Sequence, residues 1–310
     1  MERTAFLLAT GARFGGQRPG EAVARALGRA DHAVGDAGER EQLRRHVVLV
    51  PDHWPLAALA RRVDADDADS ARWLRADPAH VRPDINGARL LACGDALALT
   101  AEEAAEFLRA LRPLFGDAGF PIDAPRPGHW YLRLPREAKL PAFADPAAAL
   151  GEDVFEHLPE GDAGRRWRAL LSEAQVVLHN HPRNARRAAQ GLPVVNSLWF
   201  WGAGVLPHSA STRHARVLSD DEVVRALAHG IAETAALPPR FQATEGRALY
   251  DLRAARDLAA LERDWLQPAV QAIARRQLNG LELDFSDGRV ATIGRAQRWR
   301  FWRKPWARLG

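Results

Sequence analysis

The residues best suited to chemistry lie between positions 178 and 204. There His179, Asn180, His181, Arg183, Asn184 and Arg187 precede Asn196, Trp199, Trp201, Gly202 and Gly204. Two histidines two residues apart would project from one face of a strand and could ligate a metal ion. Pro182 interrupts such a strand, and no neighbouring carboxylate completes a ligand set. The structural reading has Asn184 and Asn196 bonding to backbone and Trp199 and Trp201 filling one side of a packed strand. Glycines 202 and 204 would then allow close backbone approach, or leave amides for an anion. Asp52-His53 follows an apolar run, at the strand end where an open α/β sheet binds ligands. The plainer alternative is a cap for the next helix, with Pro55 in its first turn. Ser209 and Ser211, between His208 and His214, suggest a nucleophile and base, but no glycine-flanked elbow or positioned acid accompanies them. Asp251, Arg253, Arg256 and Asp257 read as a salt-bridged strand end. Arg298, Arg300, Arg303 and Lys304 alternate with Trp299, Phe301 and Trp302, which suits nucleic-acid phosphates and bases or an anionic lipid surface. Equally, Trp299 and Trp302 would pack back on the body while the arginines stay solvated.

These residues need elements to hold them. Residues 4–9 read as a strand, 11–20 as a loop and 21–27 as a helix. Residues 46–50 form a short apolar run of the kind buried in parallel sheets, and 55–62 follow with helical spacing. Strands at 80–83 and 89–93 are joined by a turn at Asn86-Gly87. Thr100 and Glu103 have capping-box spacing before a helix whose apolar face is Ala104, Phe107, Leu108 and Leu111. Strands at 119–122 and 130–134 complete a small α+β module. Residues 135–151 read as a loop and 165–173 as a helix, with 176–178 either a strand or its continuation. Ser219 is expected to cap a helix reaching about residue 235. Residues 248–252 read as a strand, 258–277 as a helix kinked or restarted at Pro268, and 281–285 with 289–293 as a hairpin turned at Asp287-Gly288.

The 310 residues suffice for two domains, or for one with an insertion. A single cysteine, Cys93, excludes an intrachain disulfide and a cysteine-built zinc site. No apolar run approaches the roughly 20 residues of a spanning helix, and the start of the chain is too short in apolar residues for a signal peptide, so the cytoplasm is the expected location. The net charge of +4 belongs to the last segment: residues 293–310 hold six basic residues and no acidic one. With those six set aside, 37 basic residues stand against 39 acidic, a net of −2, so any acidic partner is a partner of that segment.

The run from residue 178 to 207 resembles a segment of the archaeal-type cofactor-independent phosphoglycerate mutases. His181, Pro182, Asn184, Arg187, Gly191, Asn196, Trp199, Trp201, Gly202, Gly204 and Pro207 fall on matching positions, with Pro193 displaced by one. The likeness is weaker over 70–134, which is similar to the small domain those mutases insert into their main sheet, and weaker again over 215–250. As a whole, the chain resembles bacterial RpfE-type regulatory proteins, and the resemblance to the mutases covers about half of it. The resemblance implies the alkaline-phosphatase superfamily, whose members use two metal ions, a serine nucleophile and Asp and His ligands to stabilise a transferring phosphoryl group. The departures fall on that machinery. The family's aspartate after the first strand is replaced by Ala9-Thr10-Gly11, its Asp-Glu-x-x-His cluster by a histidine-free stretch over 248–264, and its Arg-Ala-Gly-Arg run by Ala92-Cys93-Gly94-Asp95.

The resulting expectation is an α/β chain: a reduced three-layer alkaline-phosphatase-like core (residues 1–69 and 136–294), an inserted α+β domain (70–135) and a basic aromatic tail (295–310). The expected function is regulatory or ligand-sensing without catalysis, and without a cofactor. A phosphorylated acid would be bound by His181, Asn184, Arg187, Asn196, Trp199, Trp201, Gly202 and Gly204, and a protein partner fits a regulatory role. The alternative is a metal-dependent phosphoglycerate mutase or phosphatase using relocated ligands among Asp52, His53, His179, His181 and His208. A third reading is a nucleic-acid or membrane-surface binder contacting anions through Arg298, Arg300, Arg303 and Lys304, although nucleic acid is not the expected partner.

Overall fold

In the computed structural model, residues 3–309 are described except 86, 245 and 307. They form two compact units, residues 1–52 with 208–310, and residues 53–207. The sequence had drawn its boundaries at 69/70, 135/136 and 294/295. The chain is mixed α/β, with sheets of seven, five and two strands.

The first unit begins with β1 (Thr4–Leu8), every residue of which is buried. There follow α1 (Glu21–Arg29), β2 (Asp31–Val34), α2 (Glu39–Arg44) and β3 (Val47–Val50). The second unit then takes over with α3 (Leu56–Ala65), β4 (Arg72–Asp84), β5 (Gly87–Cys93), α4 (Ala101–Asp117), β6 (Ile122–Arg126) and β7 (His129–Leu134). It continues through α5 (Pro146–Ala149), α6 (Gly161–His179), α7 (Arg183–Ala189) and β8 (Ser197–Gly204). The expected Asn86-Gly87 turn between β4 and β5 lies partly outside the described residues. Strand β4 is long enough to pair with β7, β5 and β8, so the residues matched to the mutase segment join the same sheet as the α+β module. Helix α4 carries the expected capping box, with Thr100 Oγ1 accepting from Glu103 N and Glu103 Oε2 accepting from Thr100 N. Trp167 of α6 stacks on Phe120 at 5.2 Å and meets Phe200 of β8 edge-on at 5.2 Å, closing this unit's core.

Returning to the first unit, the chain adds β9 (Ser209–Thr212), β10 (Arg216–Leu218), α8 (Glu222–Ala228), β11 (Glu233–Ala235) and β12 (Ala248–Asp251). Helix α9 (Leu258–Leu261) runs through a π-helical turn at Glu262–Leu266 into α10 (Gln267–Ala274), where Pro268 sits in the first turn. The hairpin β13 (Gly280–Phe285) and β14 (Arg289–Gly294) turns at Gly288, whose φ of 89° favours glycine. The seven-stranded sheet has the order β11-β10-β12-β1-β13-β14-β2, with parallel pairing from β11 through β13. Phe6 sits at the centre of its core, edge-on to Phe241, Tyr250 and Trp265 at 5.5–5.9 Å.

Three expectations are corrected. Strand β3 is not buried in a parallel sheet: it pairs antiparallel with β9 alone, and its residues alternate buried and exposed. His179 and His181 are not on a strand, because α6 continues to His179 and His181 lies in the turn before α7. The helix after β10 is capped by Asp221, whose Oδ1 accepts from Val223 N at 2.8 Å, and it stops at Ala228, so that residues 233–235 join the sheet.

Candidate functional site

Strands β10, β12, β1 and β13 run parallel, and their carboxyl ends lie along one edge of the first unit's sheet, where open α/β sheets hold ligands. Asp251 is the last residue of β12 and is buried. Its Oδ1 accepts from Arg253 Nε at 2.8 Å and Arg253 N at 3.2 Å, and its Oδ2 accepts from Arg253 Nη2 at 2.7 Å and Ser219 Oγ at 2.8 Å. Arg253 also reaches Asp221 Oδ2 at 2.9 Å and Glu39 Oε2 at 3.4 Å. One guanidinium thus faces three carboxylates, and the expected strand-end ion pair of Asp251 and Arg253 is present. Burial alone would raise the Asp251 pKa. The hydrogen bonds and charge of Arg253, with the Ser219 hydroxyl, outweigh it and hold the carboxyl below its ordinary value.

A phosphoryl-transfer metal would need these carboxylates as open ligands. The donor set does not fit one: both oxygens of Asp251 already accept two hydrogen bonds each, and the fixed charge of Arg253 would oppose a divalent cation. At the neighbouring end of β1, Thr10 Oγ1 donates to Asp287 Oδ2 at 3.2 Å, and Arg289 pairs with the same carboxylate at 2.8 Å.

A second polar cluster is buried against β13. Asp284 Oδ2 lies 2.9 Å from His46 Nε2, and His46 Nδ1 lies 3.0 Å from His214 Nε2. Arg45 forks onto Asp284 through Nε at 2.8 Å and Nη2 at 2.6 Å, while Arg213 pairs with Glu282. Ligand atoms of His46, Glu282 and Asp284 come within 4.8 Å of one another, spacing that a metal could span. The two arginines already supply the positive charge, so this set too does not fit a cation. Burial, with the nearby His46 and Arg213, lowers the His214 pKa to about 3, and its Nδ1 has no partner among the described residues. Sequence reasoning missed His46, Glu282 and Asp284. The available signal was two carboxylates at alternate positions, on one face of an otherwise apolar strand.

In the second unit, the residues expected to bind a ligand are tied into the framework. Arg187 is fully buried and donates to Glu103 at 2.8 Å and to the carbonyls of Pro193 and Leu97 at 2.9 and 2.6 Å. Asn184 donates to the carbonyls of Leu178 and Val195 and accepts from Val195 N, all within 2.9 Å. Asn196 accepts from Val81 N and donates to Val81 O. Trp199 Nε1 donates to Ala144 O and Trp201 Nε1 to Asp77. A Cβ at Gly202, whose φ is +70°, would lie 3.0 Å from Ala57 N, and one at Gly204 would lie 2.5 Å from Pro55 Cβ. These glycines serve close approach. His181 Nδ1 accepts from Arg183 N at 3.2 Å, and its ring packs against Phe107.

The relocated metal candidates are not brought together. His179 ends α6, and His53 Nε2 lies 2.9 Å from Val205 O. Asp52 pairs with Arg44, and α3 has no side-chain cap at Pro55. Among the described residues, none of Asp52, His53, His179, His181 and His208 falls in a group of three that could hold a metal. Ser209 and Ser211 lie on β9, and His214 faces His46 instead of a serine. In the last segment, Trp306 and Leu309 pack on the body while Trp299 and Trp302 stay exposed, so the alternative in which those two rings pack inward does not hold.

No protein-family model matches the chain. Over 158 residues it is 30% identical to a probable 2,3-bisphosphoglycerate-independent phosphoglycerate mutase of Geobacter sulfurreducens, covering 51% of this chain and 39% of that protein. Over 114 residues it is 31% identical to the 2,3-bisphosphoglycerate-independent phosphoglycerate mutase of Methanothrix thermoacetophila, covering 35% of this chain and 27% of that protein. Among solved structures, the cofactor-independent phosphoglycerate mutase of Thermoplasma acidophilum superposes with a TM-score of 0.45 at 14% identity, over 94% of this chain and 89% of that one. A Pyrococcus horikoshii protein superposes with a TM-score of 0.48 at 12% identity, over 95% and 88%. The matched stretches span less than two fifths of either curated relative. Across about half its length, this chain is similar to 2,3-bisphosphoglycerate-independent phosphoglycerate mutases.

Proposed function

We propose that this is a phosphoglycerate-mutase-like protein that no longer transfers phosphoryl groups and serves as a regulatory or ligand-sensing protein of the RpfE type in the bacterial cytoplasm. On this reading its core derives from the alkaline-phosphatase fold. One observation carries the proposal: Arg253 lies among Asp251, Asp221 and Glu39 at the carboxyl edge of the parallel sheet. A guanidinium neutralises such a cluster permanently, whereas a metal ion would leave coordination positions open for substrate. The 178–204 segment supports descent from the mutases without supporting their ligand site, because the side chains of Asn184, Arg187, Asn196, Trp199 and Trp201 bond within the fold. Those side chains are therefore not free to bind a phosphorylated acid.

The test is turnover of 3-phosphoglycerate by purified protein with manganese, cobalt or zinc added. The expected result is no conversion above a blank. Metal-dependent conversion that is lost in Asp251→Asn would establish the enzyme reading, which the names of the curated relatives favour.

A further inference from the structure

Residues 295–306 lie across the body of the first unit in an unusual orientation. Backbone and arginine contacts fix the segment. Trp306 N donates to Ala24 O at 2.9 Å, and Trp306 stacks on His32 at 4.6 Å. Arg29 donates to Arg298 O at 2.9 Å, and Arg303 donates to Ala30 O at 2.8 Å. Arg300 pairs with Asp31 at 2.5 Å. The crossing needs Gly28, because a Cβ there would lie 2.1 Å from the carbonyl oxygen of Lys304. An anchored segment of this kind would ordinarily turn its rings inward and its cations outward. Here Arg300 and Arg303 turn to the body, while Trp299, Phe301 and Trp302 are 65%, 77% and 69% exposed.

We infer that this segment is a docking surface for an anionic lipid bilayer. Three large rings within four residues supply the apolar insertion, and two of them carry the indole N–H that suits the headgroup boundary. The flanking Arg298, Lys304 and Arg308 are exposed, and no acidic residue lies in 293–310 to oppose an anionic surface. The ring geometry argues against base stacking on nucleic acid. The Arg298 guanidinium lies 4.8 Å from the centre of the Trp299 ring, and Phe301 and Trp302 meet edge-to-face at 5.4 Å. Faces already engaged in this way leave little room for successive bases.

The experiment is co-sedimentation of the full chain with vesicles of phosphatidylcholine alone, and of phosphatidylcholine with 30 mol% phosphatidylserine. Binding is expected to the phosphatidylserine vesicles, at least tenfold above pure phosphatidylcholine, and to weaken in 0.5 M salt. Trp299→Ser/Phe301→Ser/Trp302→Ser should lose at least tenfold in that binding while keeping the wild-type circular dichroism, since the replaced rings are exposed. Arg298→Gln/Lys304→Gln is the second variant and should lose the phosphatidylserine preference. Three results would overturn the inference: no sedimentation with phosphatidylserine vesicles, binding unchanged in both variants, or vesicle binding absent while a single-stranded oligonucleotide binds through the same rings. A ring-dependent dimer in light scattering without vesicle binding would also overturn it and assign the surface to a second copy.

Discussion

A guanidinium and a divalent cation meet the demand of clustered carboxylates differently: the first ends the charge imbalance within the protein, the second keeps a reactive centre open. At the end of β12 the protein uses the guanidinium. Replacing Arg253 with Met should leave Asp251 buried with only Ser219 and a backbone amide, at a cost of about 3–5 kcal/mol in urea unfolding. Adding Asp251→Asn to that variant should recover part of the loss; equal stability of wild type and Arg253→Met would refute the assignment. The sign in acid follows from the lowered Asp251 pKa. Its contribution is complete above the unfolded-state value of about 3.9 and is lost as pH falls through the lower folded value. This ion pair was legible in the sequence, because opposite charges two residues apart close an apolar strand. The Asp284–His46–His214 chain was not. Its members are 238 and 168 residues apart, and only the fold joins them.

Among the elements, period and punctuation located β1, α1, the α4 capping box, β12 and the β13–β14 hairpin within a few residues. What they could not supply was partnership. The apolar run of β3 reads like a buried parallel strand, yet it forms a two-stranded ribbon with β9, because the sheet's central positions are filled by β12, β1 and β13. Val176–Leu178 read equally as a short strand or as a continuation of the preceding helix, and α6 takes the second course, running on to His179. The Trp-x-Trp-Gly-x-Gly run was legible as packed strand, since alternating rings before glycines suit a crowded sheet. Gly202 tests that reading. Gly202→Ala should destabilise the second unit by roughly 1–3 kcal/mol, from the positive φ and the close approach to Ala57, as read by thermal unfolding. A neutral effect would show that α3 and β8 do not need their close contact.

For the molecule as a whole, arginines that neutralise buried acids recur. Arg253 at the carboxyl edge, Arg45 and Arg213 against β13, and Arg187 in the second unit each satisfy buried acids or carbonyls. Such a framework should be sensitive to acid through His214. His214, with a folded pKa of about 3 against an unfolded value near 6.5, stays unprotonated when folded and takes up a proton on unfolding. Stability should therefore fall as pH drops below about 6.5, by up to roughly 1.4 kcal/mol per pH unit from this group. His214→Gln should flatten that slope in urea titrations between pH 7 and 5; an unchanged slope would exclude the burial of a neutral imidazole. The most direct test of the account is anomalous diffraction at the manganese edge from crystals grown with millimolar Mn²⁺. Arg253 should be forked onto Asp251 with no anomalous peak beside it. A peak within about 2.2 Å of an Asp251 carboxylate oxygen, with the Arg253 side chain displaced, would contradict it.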